Sequence, residues 1–168
     1  MIEYIIVHHT GGTDANPKAD SSNYTVKQCD VDHKARGFGK SKLGYHVGYT
    51  FFIDKQGVVT QTREVGEEGA HTVGKNTTSI GICLAGNFDV TLPTGPQVAS
   101  LRELLLKYSK SLNISPDKIV PHRNFASKSC YGSQLPERWA RELLKTGETP
   151  KKSREEIKKE IHALVDQL

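Results

Sequence analysis

From Tyr4 to His8 the chain reads Tyr-Ile-Ile-Val-His, apolar and β-branched at consecutive positions. A strand that is apolar on both faces belongs inside a sheet, so this run predicts an interior strand. Thr10 to Asn23, with Gly11-Gly12, Pro17 and several Asp and Ser, breaks the pattern and predicts a loop. Thr25 followed three residues later by Gln28 has capping-box spacing and predicts a helix to about Ala35, stopped by Gly37 and Gly39. Tyr45 to Ile53 predicts a second strand, and a turn at Asp54-Lys-Gln-Gly57 joins it to Val58–Arg63 as a hairpin. Ser79 to Ala85 is another apolar run of strand length. Thr94, again with a glutamine three residues on, starts a helix to about Leu112, in which Val98, Leu101, Leu104, Leu105, Tyr108 and Leu112 form one stripe. Ile119-Val-Pro121 predicts a short extended segment, because the residue before proline avoids the helical region. Glu137 to about Leu144 predicts a short helix around Trp139.

Strands interleaved with helices, joined by both hairpin and crossover connections, predict an α/β fold with a central mixed sheet flanked by helices. At 168 residues the chain suits one such domain and is too short for two ordinary ones. The expected division is a domain over 1–146, a linker over 147–150 and a C-terminal amphipathic helix over 151–168. That last segment is strongly charged but carries Ile157, Ile161, Leu164, Val165 and Leu168 on one helical face. Docking on the domain or self-association is its expected role, since Glu155, Glu156, Glu160 and Asp166 dilute the basic charge that a membrane surface would attract.

Composition narrows the partners. The net charge of +4 is a mild basic excess, and the Lys and Arg residues are scattered, so no nucleic-acid patch is predicted. No apolar run approaches the roughly 20 residues of a membrane span. Cys29, Cys83 and Cys130 are odd in number and follow no framework spacing, which predicts reduced thiols. The chain starts directly on its first strand with no basic leader, so synthesis in the cytoplasm without a signal peptide is expected.

The chemistry concentrates at the ends of predicted strands. His8 closes the first strand, His122 follows Ile119–Pro121, and Cys130 lies in the loop beyond. Two imidazoles and a thiolate are a donor set for zinc that leaves one position open to water, as in catalytic sites. Lys128, two residues before Cys130, brings a positive charge to the place where an oxyanion would need it. Spacing alone leaves another reading open, in which both histidines are satisfied polar residues and Cys130 is a small buried hydrophobe.

Ile6-Val-His-His-Thr10, Leu43-Gly-Tyr-His46, Gly69-Ala-His-Thr72, Ser79-Ile-Gly-Ile82 and His122 through Cys130 appear in that order. In these motifs the chain resembles the zinc-dependent N-acetylmuramoyl-L-alanine amidases of type 2. That group shares its fold with the peptidoglycan recognition proteins and includes compact bacteriophage endolysins. The resemblance runs from about residue 2 to 144. It implies one zinc ion per chain held by His8, His122 and Cys130, with Tyr45 and Lys128 as the catalytic side chains beside it. His8 is preferred to His9 because the family's ligand directly follows the last aliphatic residue of the strand. The implied reaction is hydrolysis of the amide between N-acetylmuramic acid and L-alanine in bacterial peptidoglycan, with Lys128 facing the oxyanion and Tyr45 orienting the water. A phage lysis enzyme of this kind reaches the wall through a pore made by another protein. The competing expectations are a peptidoglycan-binding module without catalysis, and a metal-free hydrolase using Cys130 as nucleophile and His122 as base.

His33 and His71 are expected to contact the muropeptide, with structural roles as the alternative for each. Asn76 is expected to cap a turn, and Arg63 to sit at a solvated strand end. Cys83 is expected in the core and Cys29 in its buried helix face. Asn124 stands where many relatives of this kind carry an acidic residue. Tyr131 replaces the proline that often follows the ligand, and is expected either to stack on substrate or to cover the metal loop.

Overall fold

The computed structural model describes residues 1–145. The linker and amphipathic helix expected over 147–168 lie outside the described residues. Five strands, β1 (Tyr4–His9), β2 (Phe51–Ile53), β3 (Val59–Gln61), β4 (Ser79–Leu84) and β5 (Ile119–Pro121), form one sheet in the order β3-β2-β4-β1-β5. β1, β2, β4 and β5 run parallel, and β3 pairs antiparallel with β2 through the hairpin. The sheet is therefore mixed, as the connection types predict. β1 sits between β4 and β5, and β4 lies between β1 and β2, so both central strands are buried along their whole length apart from the partly covered Tyr4.

Among the described residues three α-helices accompany the sheet: α1 (Val26–Ala35), α2 (Gly95–Ser111) and α3 (Trp139–Glu142). Thr25 and Thr94 each accept, on the side-chain oxygen, a hydrogen bond from the backbone N–H of the glutamine three residues on, and the side-chain oxygen of that glutamine accepts the threonine's own backbone N–H. Both capping boxes are thus formed as the spacing predicts. One sheet face carries Ile5, Val7, Phe51, Ile53, Ile80 and Ile82, packed against Leu101 and Leu105 of α2. On the opposite face Phe52, Cys83 and Ala85 pack with Val47 and Cys29 of α1. Only Cys29 and His33, one turn apart, are buried on α1, so this helix covers the sheet with a narrow and partly polar stripe.

The second strand is shorter than its sequence suggests. Only Phe51–Ile53 is strand, and the backbone of 45–50 spends most of its hydrogen bonds elsewhere. The Tyr45 carbonyl accepts from Ser41 N–H, the Val47 carbonyl from Arg63 Nε, and the Gly48 carbonyl from Ala70 N–H. Gly48 N–H donates to His33 Nδ1 at 2.9 Å. Backbone groups satisfied by side chains and turns are not available to a ladder, so pairing starts late. Gly48 is required here by close approach, since a Cβ would lie 2.2 Å from the Ala70 carbonyl oxygen.

Candidate metal centre

Alternation along β1 sends the His8 ring to the α1 face of the sheet and the His9 ring to the α2 face. There His9 Nδ1 accepts the Phe88 backbone N–H at 2.9 Å, and its ring packs against Phe88. His9 is thereby committed to the fold. His122 opens the helical turn that directly follows β5, the neighbour of β1, and its ring centroid lies 4.6 Å from that of His8. Cys130, at the end of the next loop, places Sγ 3.7 Å from His8 Nδ1. The donor atoms of His8, His122 and Cys130 all lie within 4.8 Å of one another, the one such cluster among the described residues.

Two groups that sequence reasoning missed hold the Cys130 loop in place. The Arg123 guanidinium donates to the carbonyls of Ser129, Gly132 and Leu135, while its backbone N–H donates to the Cys130 carbonyl at 2.7 Å. Asp89 accepts from Ser129 Oγ and from Ser133 N–H, both at 2.7 Å. Burial alone would raise the Asp89 carboxyl, but these hydrogen bonds outweigh it and hold the group below its ordinary value. Tyr131 turns inward, fully buried against Trp139, and donates its hydroxyl to the Glu137 carbonyl at 2.6 Å. It covers the loop from beneath and does not line the cavity. Asn124 is exposed and donates to Glu137.

The electrostatics suit a cation. Burial chiefly pushes the Cys130 thiol up to about 12, against the opposing pull of the His9 N–H and Lys128. Burial, reinforced by the neighbouring histidines, keeps His8 well below its ordinary value. Alone, the trio is therefore a neutral thiol and neutral imidazoles with lone pairs converging on one point. In a tetrahedral site, donors at zinc–nitrogen and zinc–sulfur distances sit about 3.6 Å apart, close to the separation of His8 Nδ1 and Cys130 Sγ. Donor types, spacing and convergence all fit zinc.

The expectation for Tyr45 is corrected by the fold. Tyr45 packs at the edge of the Cys29–Phe52–Cys83 cluster and does not line the cavity around the histidines. Tyr49 takes the position beside them, its ring 5.0 Å from His8 and 5.5 Å from His33. Burial, with Cys83 and Cys130 nearby, raises the Tyr49 hydroxyl well above its ordinary value, so it keeps its proton. Residues 45 and 49 share strand parity, and alternation cannot choose between them. The break at Gly48 makes the choice.

Lys128, exposed on the loop, lines the same cavity of about 1050 Å³, as do His33 and His71. His33 is only 6% exposed; its Nδ1 is engaged by Gly48 N–H, and its ring lies between Phe38 and Tyr49. Burial holds His33 down at about 4. His71 has both nitrogens facing protein atoms: Nδ1 lies 3.0 Å from His8 Nε2, and Nε2 lies 3.4 Å from Ser79 Oγ. The structure thus places His71 behind the His8–His122–Cys130 cluster, with both ring nitrogens within reach of protein partners. Asn76 accepts the N–H groups of His71 and Thr72, the turn role expected of it. Arg63 departs from expectation: it is buried and donates to the carbonyls of Val47, Glu68 and Gly39, tying down the segment that carries Tyr49.

A family model described as N-acetylmuramoyl-L-alanine amidase matches residues 1–133, which contain the whole cluster. The chain belongs to this amidase family. The endolysin of Enterobacteria phage T3 is 32% identical over 138 residues, covering 76% of this chain and 83% of its own. Peptidoglycan-recognition protein SC2 of Drosophila simulans is 28% identical over 137 residues, covering 80% and 70%. Among solved structures, the endolysin N-acetylmuramoyl-L-alanine amidase LysCS from Clostridium intestinale superposes with a TM-score of 0.66 at 27% identity, covering 80% of this chain and 78% of its own. The amidase fold, a mixed sheet with helices on both faces, is the fold of this chain.

Proposed function

We propose that this chain hydrolyses the amide between the lactyl group of N-acetylmuramic acid and L-alanine in bacterial peptidoglycan, with one zinc ion, as a phage-type lysis enzyme. The observation that carries the reading is the convergence of His8, His122 and Cys130 donors within 4.8 Å, on a cavity that Tyr49 and Lys128 also line. Family membership supports the amide as the bond cut, and the match to phage endolysins supports a lytic role.

His8, His122 and Cys130 would hold the ion. Zinc in a three-donor site with an open position supplies an acidified water and a Lewis acid for a carbonyl oxygen. The chain's own groups do the rest. Tyr49 keeps its hydroxyl proton at neutral pH, so it orients the attacking water by hydrogen bonding and does not serve as a base. The Lys128 ammonium faces the carbonyl oxygen as negative charge grows on it, and being exposed it can move to meet the substrate. His33 and Phe38 give the cavity a flat wall beyond Tyr49.

The metal-free cysteine mechanism is disfavoured by the same site. A thiol held near 12 is almost wholly protonated at neutral pH, and a protonated thiol is a poor nucleophile.

Digestion of purified cell walls with and without a zinc chelator, followed by assay of new N-terminal alanine, tests the proposal. Release of N-terminal alanine that stops on chelation and returns with zinc is the expected result. Cleavage that survives complete zinc removal would sink it. Tight wall binding with no cleavage of any wall type would favour the binding module, the activity suggested by the recognition-protein relatives.

A further inference from the structure

Behind the metal cluster runs a chain of hydrogen bonds whose direction can be worked out from one end. Ser79 Oγ lies 2.6 Å from the Lys75 carbonyl oxygen. A carbonyl only accepts, so the Ser79 hydroxyl proton is spent there. At its other contact, 3.4 Å from His71 Nε2, Ser79 Oγ must therefore accept, and Nε2 carries the proton of His71. A neutral imidazole has one N–H, which leaves His71 Nδ1 as a bare lone pair. That lone pair lies 3.0 Å from His8 Nε2 and 3.0 Å from Thr72 Oγ1, whose hydroxyl can also donate to it; a second bare lone pair on His8 Nε2 would repel it at that distance. His8 Nε2 is then the donor, its proton shared with Thr72 Oγ1 at 3.5 Å. His8 Nδ1, the nitrogen 3.7 Å from Cys130 Sγ, is left unprotonated.

We infer that Ser79 and His71 form a tautomer relay that holds His8 with its proton on Nε2 and its lone pair on Nδ1, ready for the metal. His71 is a positioning residue in this arrangement, acting through His8. The inference deepens the zinc reading above and rests on it for its consequence in metal binding. Metal-bound histidines commonly donate their second N–H to a carboxylate or a backbone carbonyl. Here the acceptor is another imidazole, which can accept only because a hydroxyl and a carbonyl further back dictate its own tautomer. The packing serves the same end. A Cβ on Gly81 would lie 2.7 Å from the His71 Cδ2, so the missing side chain in β4 is what lets the His71 ring lie flat against the sheet beneath His8.

The test has one arm that needs no metal. Long-range ¹H–¹⁵N correlation spectra of the zinc-free chain at neutral pH should place both His8 and His71 in the Nε2–H form. A His8 found in the Nδ1–H form would overturn the relay. The second arm measures zinc affinity by competition with a chromogenic chelator. His71→Ala should weaken binding by about 10- to 100-fold, the usual cost of losing a supporting partner of a ligand. His71→Asn places an acceptor oxygen where Nδ1 stood and should recover most of that loss, which a merely space-filling role would not predict. Ser79→Ala frees His71 to reverse and should give mixed tautomers at both histidines. A wild-type chain that binds zinc, beside a His71→Ala variant that is folded and binds it equally well, would also overturn the relay. A wild-type chain that takes up no zinc would instead overturn the metal reading, with the spectrum still judging the tautomers.

Discussion

At the scale of single residues, Tyr49 and Tyr45 give the sharpest contrast. Both are tyrosines in one predicted strand, and only Tyr49 touches the His8 ring. Tyr49→Phe is expected to slow wall clearance by about 10- to 100-fold, the worth of one hydrogen bond in a buried site, with zinc content and melting temperature nearly unchanged. Tyr45→Phe should leave the rate near wild type; a slow Tyr45→Phe with a fast Tyr49→Phe would reverse the assignment. His8, His122 and Cys130 could be picked out as a candidate donor trio from the sequence because metal donors come from few residue types; His8 ends β1, His122 directly follows β5, and Cys130 closes the loop that also carries Lys128. Arg123 was not legible. It lies beside His122 in sequence, but its role depends on three carbonyls of a loop whose course no pattern encodes. His33 carries a prediction about acid. Its folded value of about 4 lies below the ordinary ~6.5 of an unfolded histidine, so between those values the unfolded chain binds the extra proton. The stability it contributes is complete above about pH 6.5 and is lost as pH falls towards 4, at up to about 1.4 kcal/mol per pH unit. Melting curves across that window should flatten in His33→Gln, which still offers an acceptor to Gly48 N–H; an unchanged slope would refute the role.

At the scale of elements, the caps were the most readable features. Thr25–Gln28 and Thr94–Gln97 satisfy helix-end donors by local contacts alone, so a four-residue pattern suffices to place them. The interior strand β1 was readable for a similar reason, since burial on both faces needs an unbroken apolar run. The second strand was over-extended because residues 45–50 have strand-like composition while their backbone is bound by Arg63, Ala70 and His33. Long-range satisfaction of that kind leaves no periodic trace. The loop carrying Cys130 is the element most dependent on one side chain. Arg123→Ala removes three donors to loop carbonyls and is expected to cost about 2–3 kcal/mol of stability. Because the loop carries a candidate ligand, zinc affinity should fall with it. Urea unfolding and chelator competition on one preparation check both; a variant that loses stability but not affinity would place the loop's order elsewhere.

At the scale of the whole molecule, the parallel strands explain where the site lies. β1 and β5 point their carboxyl ends the same way, so His8 at the end of one and His122 just past the other meet at one rim of the sheet. Open α/β sheets commonly bind ligands outside the carboxyl ends of their strands, and the connection pattern made that much foreseeable. A metal bridging β1 and the 122–130 loop should also stiffen the fold. Free zinc at a hundred times its dissociation constant is expected to stabilise the folded chain by about 2.7 kcal/mol, seen as a melting temperature that falls on chelation and recovers with zinc. No change on chelation would argue against a bound ion. The sheet has a second consequence, at its two margins. The outermost strands β3 and β5 have three residues each, and β5 ends in Pro121, which has no N–H to offer. Exposed strand edges are where β proteins stick to one another in solution, and a short edge or a proline blunts them. Among the described residues, then, the sheet presents no long edge on which a second copy could add a strand, a trait that favours staying dispersed where many copies crowd together.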